Sequence, residues 1–244
     1  MPAEAVSAVT PRPLGLVVMA QQWREVTFLH WAVEPERVAH LFPAGTRPDV
    51  IDGATWVGLV PFRMVGAAPG TGPAVPWLGT FLETNVRLYS VDQRGRRGVV
   101  FLSLDASRLA VVLGARVAYG LPYMWSRMHL ARHGDVLTCS TWRRWPGPRG
   151  ATSRVVVRVG EAVRHPSPTE AFLTWRWGLH QHWAGRTWYN PNEHEPWVLH
   201  RAQVVELRDD LIAVAGLPGL VDRPPDLVHW SPGVSSRFGP PLPT

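Results

Sequence analysis

The 244-residue chain contains no lysine, and all 25 of its basic residues are arginine. That absence removes every side-chain amine from nucleophilic chemistry, leaving the α-amino group as the only amine. Isoleucine is nearly as scarce, occurring only at Ile51 and Ile212, while Ala, Gly, Pro and Val abound. A strongly GC-biased coding sequence gives this pattern, so a net charge of +6 needs no functional cause. The arginines are scattered apart from Arg94/Arg96/Arg97 and Arg143/Arg144, which argues against a nucleic-acid partner. Cys139 stands alone, so no intrachain disulfide can form. With no base pattern near it, Cys139 reads as a core thiol, and the composition favours a reducing, cytoplasmic location. The apolar run from Leu14 to Ala20 is too short to cross a bilayer, and no leader layout surrounds it, so no membrane partner is expected. There is no phosphate-cradling glycine loop, serine nucleophile elbow or dinucleotide fingerprint.

What is present is aromatic surface and β pattern. Thirteen tryptophans supply large flat faces for a core or a pocket. The length suits one domain over residues 1–244, with residues 1–13 and 232–244 as loose tails. Strands are expected at Trp23 to Val33, Ala54 to Met64, Phe81 to Tyr89 and Val99 to Leu104, then at Tyr123 to Leu130, Val136 to Arg144, Ser153 to Glu161 and Val198 to Leu207. A last short one is expected at Leu227 to Trp230. Ser167-Pro168-Thr169-Glu170 is a capping box opening a helix to about Trp177. Asp105 or Ser107 caps a second helix ending near Tyr119, with Leu109, Val112, Leu113 and Arg116 on its inner stripe. Gly66 to Gly79 and Gly185 to Pro196 read as loops. The whole is a mainly β domain carrying a few helices.

The chain is organised around Phe81 to Tyr89. Period-two alternation puts Phe81, Glu83, Asn85, Arg87 and Tyr89 on one face and Leu82, Thr84, Val86 and Leu88 on the other. Either the polar row faces water or it lines the inside of a barrel. In the second case Glu83 and Arg87, about 13 Å apart along the backbone, cannot pair easily, and Glu83 is left free for a ligand. His30 shares a face with Val26 and Phe28 and reads first as a satisfied core histidine, with a pocket role as the alternative. His180 and His182 could act together only in an extended segment. Glu193-His194-Glu195 lacks a second histidine at ligand spacing, so no metal is expected.

Ala115-Arg116-Val117-Ala118-Tyr119-Gly120-Leu121-Pro122-Tyr123-Met124 resembles the acetoacetate decarboxylase motif G-R-E, one variable residue, an aromatic, then G-F-P-K-K. Arg116, Tyr119, Gly120 and Pro122 match, whereas Tyr123 and Met124 stand where that family has lysines. Glu83 stands in a comparable place to that family's strand glutamate. Over almost the whole chain the sequence resembles the YqjF-like domain family, domain of unknown function 2071. The matching stretches include Phe28-Leu29-His30-Trp31, Glu83-Thr84-Asn85-Val86-Arg87, Leu121-Pro122-Tyr123 and Ser231-Pro232-Gly233-Val234. The resemblance implies an acetoacetate decarboxylase-like antiparallel β-barrel or cone with peripheral helices, built around a pocket. Decarboxylases of this fold form an imine with lysine, and Tyr123 cannot.

What remains is acid–base and electrostatic chemistry on a small carbonyl or carboxylate metabolite without a cofactor, or binding alone in a module that has lost the lysine. In the first reading Glu83 is the general acid/base and Tyr123 donates to a carbonyl or enolate oxygen. Arg116 or Arg87 holds a carboxylate. Asn85, His30 and Tyr119 complete the binding set. A homo-oligomer is a possible assembly.

Overall fold

The computed structural model describes residues 1–244. The first three strands are β1 (Met19–Val33), β2 (Thr46–Pro48) and β3 (Thr55–Pro69), with the short helix α1 (Pro35–Val38) after β1. β4 (Phe81–Asp92) and β5 (Arg97–Ala106) form a hairpin, followed by α2 (Leu109–Tyr119). β6 (Tyr123–His133), β7 (Val136–Trp145) and β8 (Thr152–Ala162) form a meander that leads into α3 (Pro168–Thr174). β9 (Gly178–Trp183), β10 (Arg186–His194) and β11 (His200–Asp209) precede α4 (Leu211–Val214). β12 (Leu227–Phe238) and β13 (Leu242–Pro243) end the chain.

Two closed circuits of strands share one wall. β1, β3, β4, β5, β9, β10 and β12 close the first ring. The same β12–β1–β3–β4–β5 wall, continued by β6, β7, β8 and β11, closes the second. Two strands fork to allow this. The start of β5 meets β9 through Val99↔Leu179, and its end meets β6 from Leu104↔Tyr123 onward. Closure removes the open edges that an antiparallel sheet would otherwise expose.

Each shared strand therefore has two inner faces. Leu29 and Trp31, Val57 and Leu59, and Val86 and Leu88 pack with Leu137, Cys139, Val155 and Val157 into a solid core. The alternate residues Phe28, Val60, Phe62, Met64, Phe81 and Phe101 face the other lumen, which is hollow. A bulge sets this up on β5. Between the pairs Val86↔Ser103 and Arg87↔Phe101 one extra residue, Leu102, reverses the parity of the strand. Leu104 and Ala106 then share a face with Asn85 and Glu83, while Phe101 and Val99 share it with Arg87 and Tyr89.

One buried ion pair sits between the layers. Asp105 is held by Arg143 at 2.6 Å and by the Ser126 hydroxyl at 2.6 Å. This is why Asp105 does not cap α2. Ser107 does not cap it either, since its hydroxyl accepts the Leu82 N–H, and Arg108 occupies the cap position without a side-chain bond. The expected inner stripe of α2 is rotated as well. Leu109 and Leu113 are exposed, and the helix turns Val112, Val111 and Ala115 inward.

Three expected boundaries are corrected. The capping box at Ser167 and Glu170 forms, but the helix stops at Thr174, because the Arg176 side chain caps the Phe172 carbonyl at 2.6 Å. Residues 185–196 are not a loop. Ala184 and Gly185 both adopt positive φ, the geometry of a two-residue hairpin turn, and the Asn-rich segment that follows is β10. Residues 232–244 are not a loose tail, since β12 runs on to Phe238 along β1 and β10, and β13 pairs with β10. Gly233 permits this continuation, as a Cβ there would meet the Trp23 carbonyl oxygen at 1.8 Å. The arm over residues 1–13 is pinned too, by Glu4 to the backbone of Arg97 and by Arg12 to the Tyr189 hydroxyl. No helix is long and apolar enough to cross a membrane.

Leu88 lies in the solid core at 0% exposure. Leu88→Ala should lower unfolding stability by about 2–5 kcal/mol, read as a reduced midpoint in urea at unchanged slope.

Candidate functional site

The hollow lumen is a cavity of about 470 Å³, within the range of small-molecule sites. The polar row of β4 forms one wall, because the opposite parity is committed to the solid core. Glu83, Asn85 and Arg87 line the cavity, and Tyr123 at the start of β6 reaches it beside Glu83. Most of the remaining lining is apolar, from Phe28, Phe62, Phe81 and Phe101 to Trp197. α2 contributes Val111, Ala115 and the half-exposed Tyr119, and the segment after β3 contributes Val75 and Leu78.

Glu83 is 2% exposed and accepts a hydrogen bond from the Tyr123 hydroxyl at 3.0 Å. Burial pushes its carboxyl up to about 7, against the opposing pull of donors from Tyr123 and Asn85, and Asp105 adds to the rise. Burial, with the Glu83 carboxylate beside it, also drives the Tyr123 phenol well above its usual value. Tyr123 thus keeps its proton and acts as a hydrogen-bond donor near neutrality, and Glu83 is poised between its two forms.

Arg87 donates through Nε and Nη2 to the Tyr89 hydroxyl at 3.1 and 2.9 Å, and through Nη2 to the Leu173 carbonyl at 3.3 Å. No carboxylate of the chain pairs with it. Gly58 makes room, since a Cβ there would sit 3.2 Å from Arg87 Cγ. His30 does not line the cavity. Its Nε2 lies 2.6 Å from the Tyr89 hydroxyl, behind Arg87, and burial holds it well below the usual histidine range. It belongs to the support of Arg87 rather than to a ligand surface.

Arg116 is also displaced from its expected role. Its Nη1 donates to the Tyr123 carbonyl at 2.8 Å and its guanidinium lies over Trp145. The rotation of α2 turns it outward, where it fixes the backbone of Tyr123 and cannot reach the cavity. His180 lies on β9 against Ser90 and Asp92, while His182 is exposed. Glu193 and Glu195 are drawn off to Arg237 and the Ser235 N–H. His194 stacks on Trp177 at 4.6 Å in the cavity wall, and burial lowers its pKa. Cys139 is a buried core thiol whose pKa burial raises to about 12.

Sequence reasoning missed one group altogether. Arg176, Gln181, Asn190 and Asn192 line the cavity from the segment after α3, from β9 and from β10. Arg176 is 5% exposed and binds Asp49 through Nη1. Its Nη2, with Gln181 Oε1, Asn190 Nδ2 and Asn192 Oδ1, has no partner within the chain. An unpartnered buried polar atom costs about 1–3 kcal/mol, so four on one cavity wall mark a surface made for something else to meet. The alternation Leu179/Gln181 and Asn190/Asn192 about an Ala-Gly turn was the available signal.

The model of the DUF2071 family, described as an uncharacterized conserved protein, matches residues 20–235. The chain belongs to this family. Uncharacterized protein YqjF of Bacillus subtilis (strain 168) is 30% identical over 193 residues, covering 78% of either chain. Among solved structures, an acetoacetate decarboxylase-like enzyme from Sphingomonas wittichii RW1 superposes with a TM-score of 0.65 at 15% identity, covering 99% of both chains. The enduracididine biosynthesis enzyme MppR complexed with pyruvate superposes at 0.61 and 15% identity, covering 96% of this chain and 92% of the other. The DUF2071 chain thus has the acetoacetate decarboxylase-like fold. At these identities the structural likeness speaks for fold alone.

The raised Glu83 group gives a test of its environment. Folded, it keeps its proton to about pH 7, whereas unfolded it releases it near 4.5. The native state holds the extra proton across that window, so this contribution is full below pH 4.5 and lost as pH rises through 7. It amounts to at most about 3 kcal/mol. Glu83→Gln should therefore gain stability relative to wild type between pH 4.5 and 8 in paired thermal melts. Parallel curves would show that the carboxyl is not desolvated.

Proposed function

We propose that this DUF2071 protein binds a small oxo acid in the cavity and performs imine-free acid–base chemistry next to its carbonyl. The observation that carries the reading is a buried carboxyl titrating near 7, hydrogen-bonded to a phenol, on a cavity wall. Two fold neighbours, one an acetoacetate decarboxylase-like enzyme and the other complexed with pyruvate, give it further support. The absence of lysine removes the side-chain imine route.

In this reading ionised Glu83 removes a proton from the carbon beside the ligand's carbonyl, giving an enolate. Once protonated, Glu83 no longer needs the Tyr123 hydrogen bond, and the phenol turns to the enolate oxygen. That developing charge sits in a desolvated lumen, where one well-placed donor is worth about two to three powers of ten in rate. Arg87 supplies charge complementarity for the ligand's carboxylate, and Asn85 separates it from Glu83. Arg116 acts indirectly, by fixing the strand that carries Tyr123.

One observation favours binding without catalysis: Glu83 already has a protein donor in Tyr123. The two readings separate in heavy water. Wild type should exchange the protons beside the carbonyl of pyruvate or 4-oxopentanoate for deuterium, followed by proton NMR. Glu83→Gln should keep binding within about threefold and lose exchange by at least about a hundredfold, the lower range for general acid–base catalysis. Equal exchange in the two proteins would remove Glu83 from the chemistry, and binding with no exchange in wild type would leave a binding module. Arg87→Leu should weaken oxo-acid binding by at least about tenfold, the scale of a lost charge-assisted contact, in calorimetric titration.

A further inference from the structure

Five cavity-lining side chains carry an unpartnered buried polar atom; Asn85 Oδ1 lies next to Glu83 on β4, and the other four fall into a pattern. Two are donors, Arg176 Nη2 and Asn190 Nδ2, and two are acceptors, Gln181 Oε1 and Asn192 Oδ1. All four side chains are at least nine-tenths buried and line the cavity.

Their position along the barrel follows from register. Tyr89 pairs with Val99, Val99 with Leu179, and Leu179 with Asn190, so these residues form one row across four strands. Asn192 lies one pleat beyond Asn190, and its N–H donates to the Trp177 carbonyl beside Arg176. Gln181 lies one pleat the other way, at the level of Phe101 and hence of Arg87. The guanidinium carbons of Arg176 and Arg87 are 5.0 and 5.3 Å from the Tyr89 ring centre. The amides and both arginines therefore gather at one pole, and Glu83 with Tyr123 forms the other.

The charge of the arginine pole is positive. Asp49 is shared between Arg97 and Arg176, and Arg87 has no carboxylate. Free donors with positive charge match a carboxylate. A free acceptor on the Glu83 side of them, Gln181 Oε1, matches a donor on the adjacent carbon. That donor is neutral, because an ammonium group would be desolvated beside two guanidinium ions.

We infer that the arginine pole recognises the head of a 2-hydroxy carboxylate, so that the ligand is a hydroxy acid whose chain carries its carbonyl to Glu83 and Tyr123. Arg176, Asn190 and Arg87 hold the carboxylate, while Gln181, on the Glu83 side of the Asn190 row, accepts the single hydroxyl proton. The inference rests on the oxo-acid reading and narrows it.

The test is a calorimetric comparison of 2-hydroxy-4-oxopentanoate with its near-isostere 2-methyl-4-oxopentanoate and with 2-amino-4-oxopentanoate on the full chain. The hydroxy compound should bind at least about tenfold tighter than either, since the methyl compound leaves the Gln181 acceptor unpaired. Gln181→Met should shrink the hydroxy-to-methyl ratio while leaving methyl-compound affinity within about threefold. The wild-type comparison decides the matter even if a variant fails to fold. Equal or tighter binding of the methyl compound overturns the inference and leaves the oxo-acid site standing. Tighter binding of the amino compound overturns the neutral-donor assignment. Failure of all three to bind wild type overturns both the inference and the reading beneath it.

Discussion

A strand buried on both sides has to answer to two environments with alternate residues. β4 sits in the shared wall of two closed rings, and its even-numbered residues Val86 and Leu88 are fixed by the solid core. Period two then leaves Glu83, Asn85 and Arg87 no direction except into the hollow lumen. Slipping β4 by one residue would bury a glutamate and an arginine in hydrocarbon and turn Val86 and Leu88 into the cavity. The dense side of the molecule thus holds the polar side in register. The bulge at Leu102 extends the arrangement to β5, presenting apolar residues on both halves of a strand that forks between two rings.

The electrostatics of the cavity follow from that geometry. Burial is the first cause of the raised Glu83 carboxyl and of the raised Tyr123 phenol. The pair sits at one end of the lumen, and two guanidinium groups braced on Tyr89 and Asp49 sit at the other. Behind the ligand-facing atoms lies a set of groups that touch nothing in the cavity but hold what does. His30 and Tyr89 steady Arg87, Asp49 steadies Arg176, and Arg116 steadies Tyr123. A lumen with opposite polar poles and aromatic walls suits a short molecule with a different group at each end.

A good part of this was legible in the chain. The two faces of Phe81 to Tyr89 are a local period, and local periods survive folding. Glu83 and Tyr123 are placed in one site by resemblance to a family motif, but the hydrogen bond between them, joining residues 40 positions apart, comes only with the fold. Arg116 departs from its expected role, and His30 keeps the core reading and not the pocket alternative, for the same kind of reason. Helical periodicity gives the stripe on a helix but not which stripe docks, and α2 docks on Val112 and Ala115. An apolar strand face gives burial but not what stands in front of it, and Tyr89 with Arg87 stands in front of His30.

The sequence by itself determined the polar row, the β4–β5 and β6–β7 hairpins, the capping box and the absence of lysine, because each depends on residue type or on neighbours within a few positions. Only the tertiary structure decided that Arg176, Gln181, Asn190 and Asn192 complete the cavity, and that residues 232–238 seal it as a strand. Asn-rich and Pro-rich segments have no strong preference for strand when alone. They become strands here because β1 and β9 offer backbone partners, and because the lumen they close gives their polar side chains a place away from both water and the apolar core.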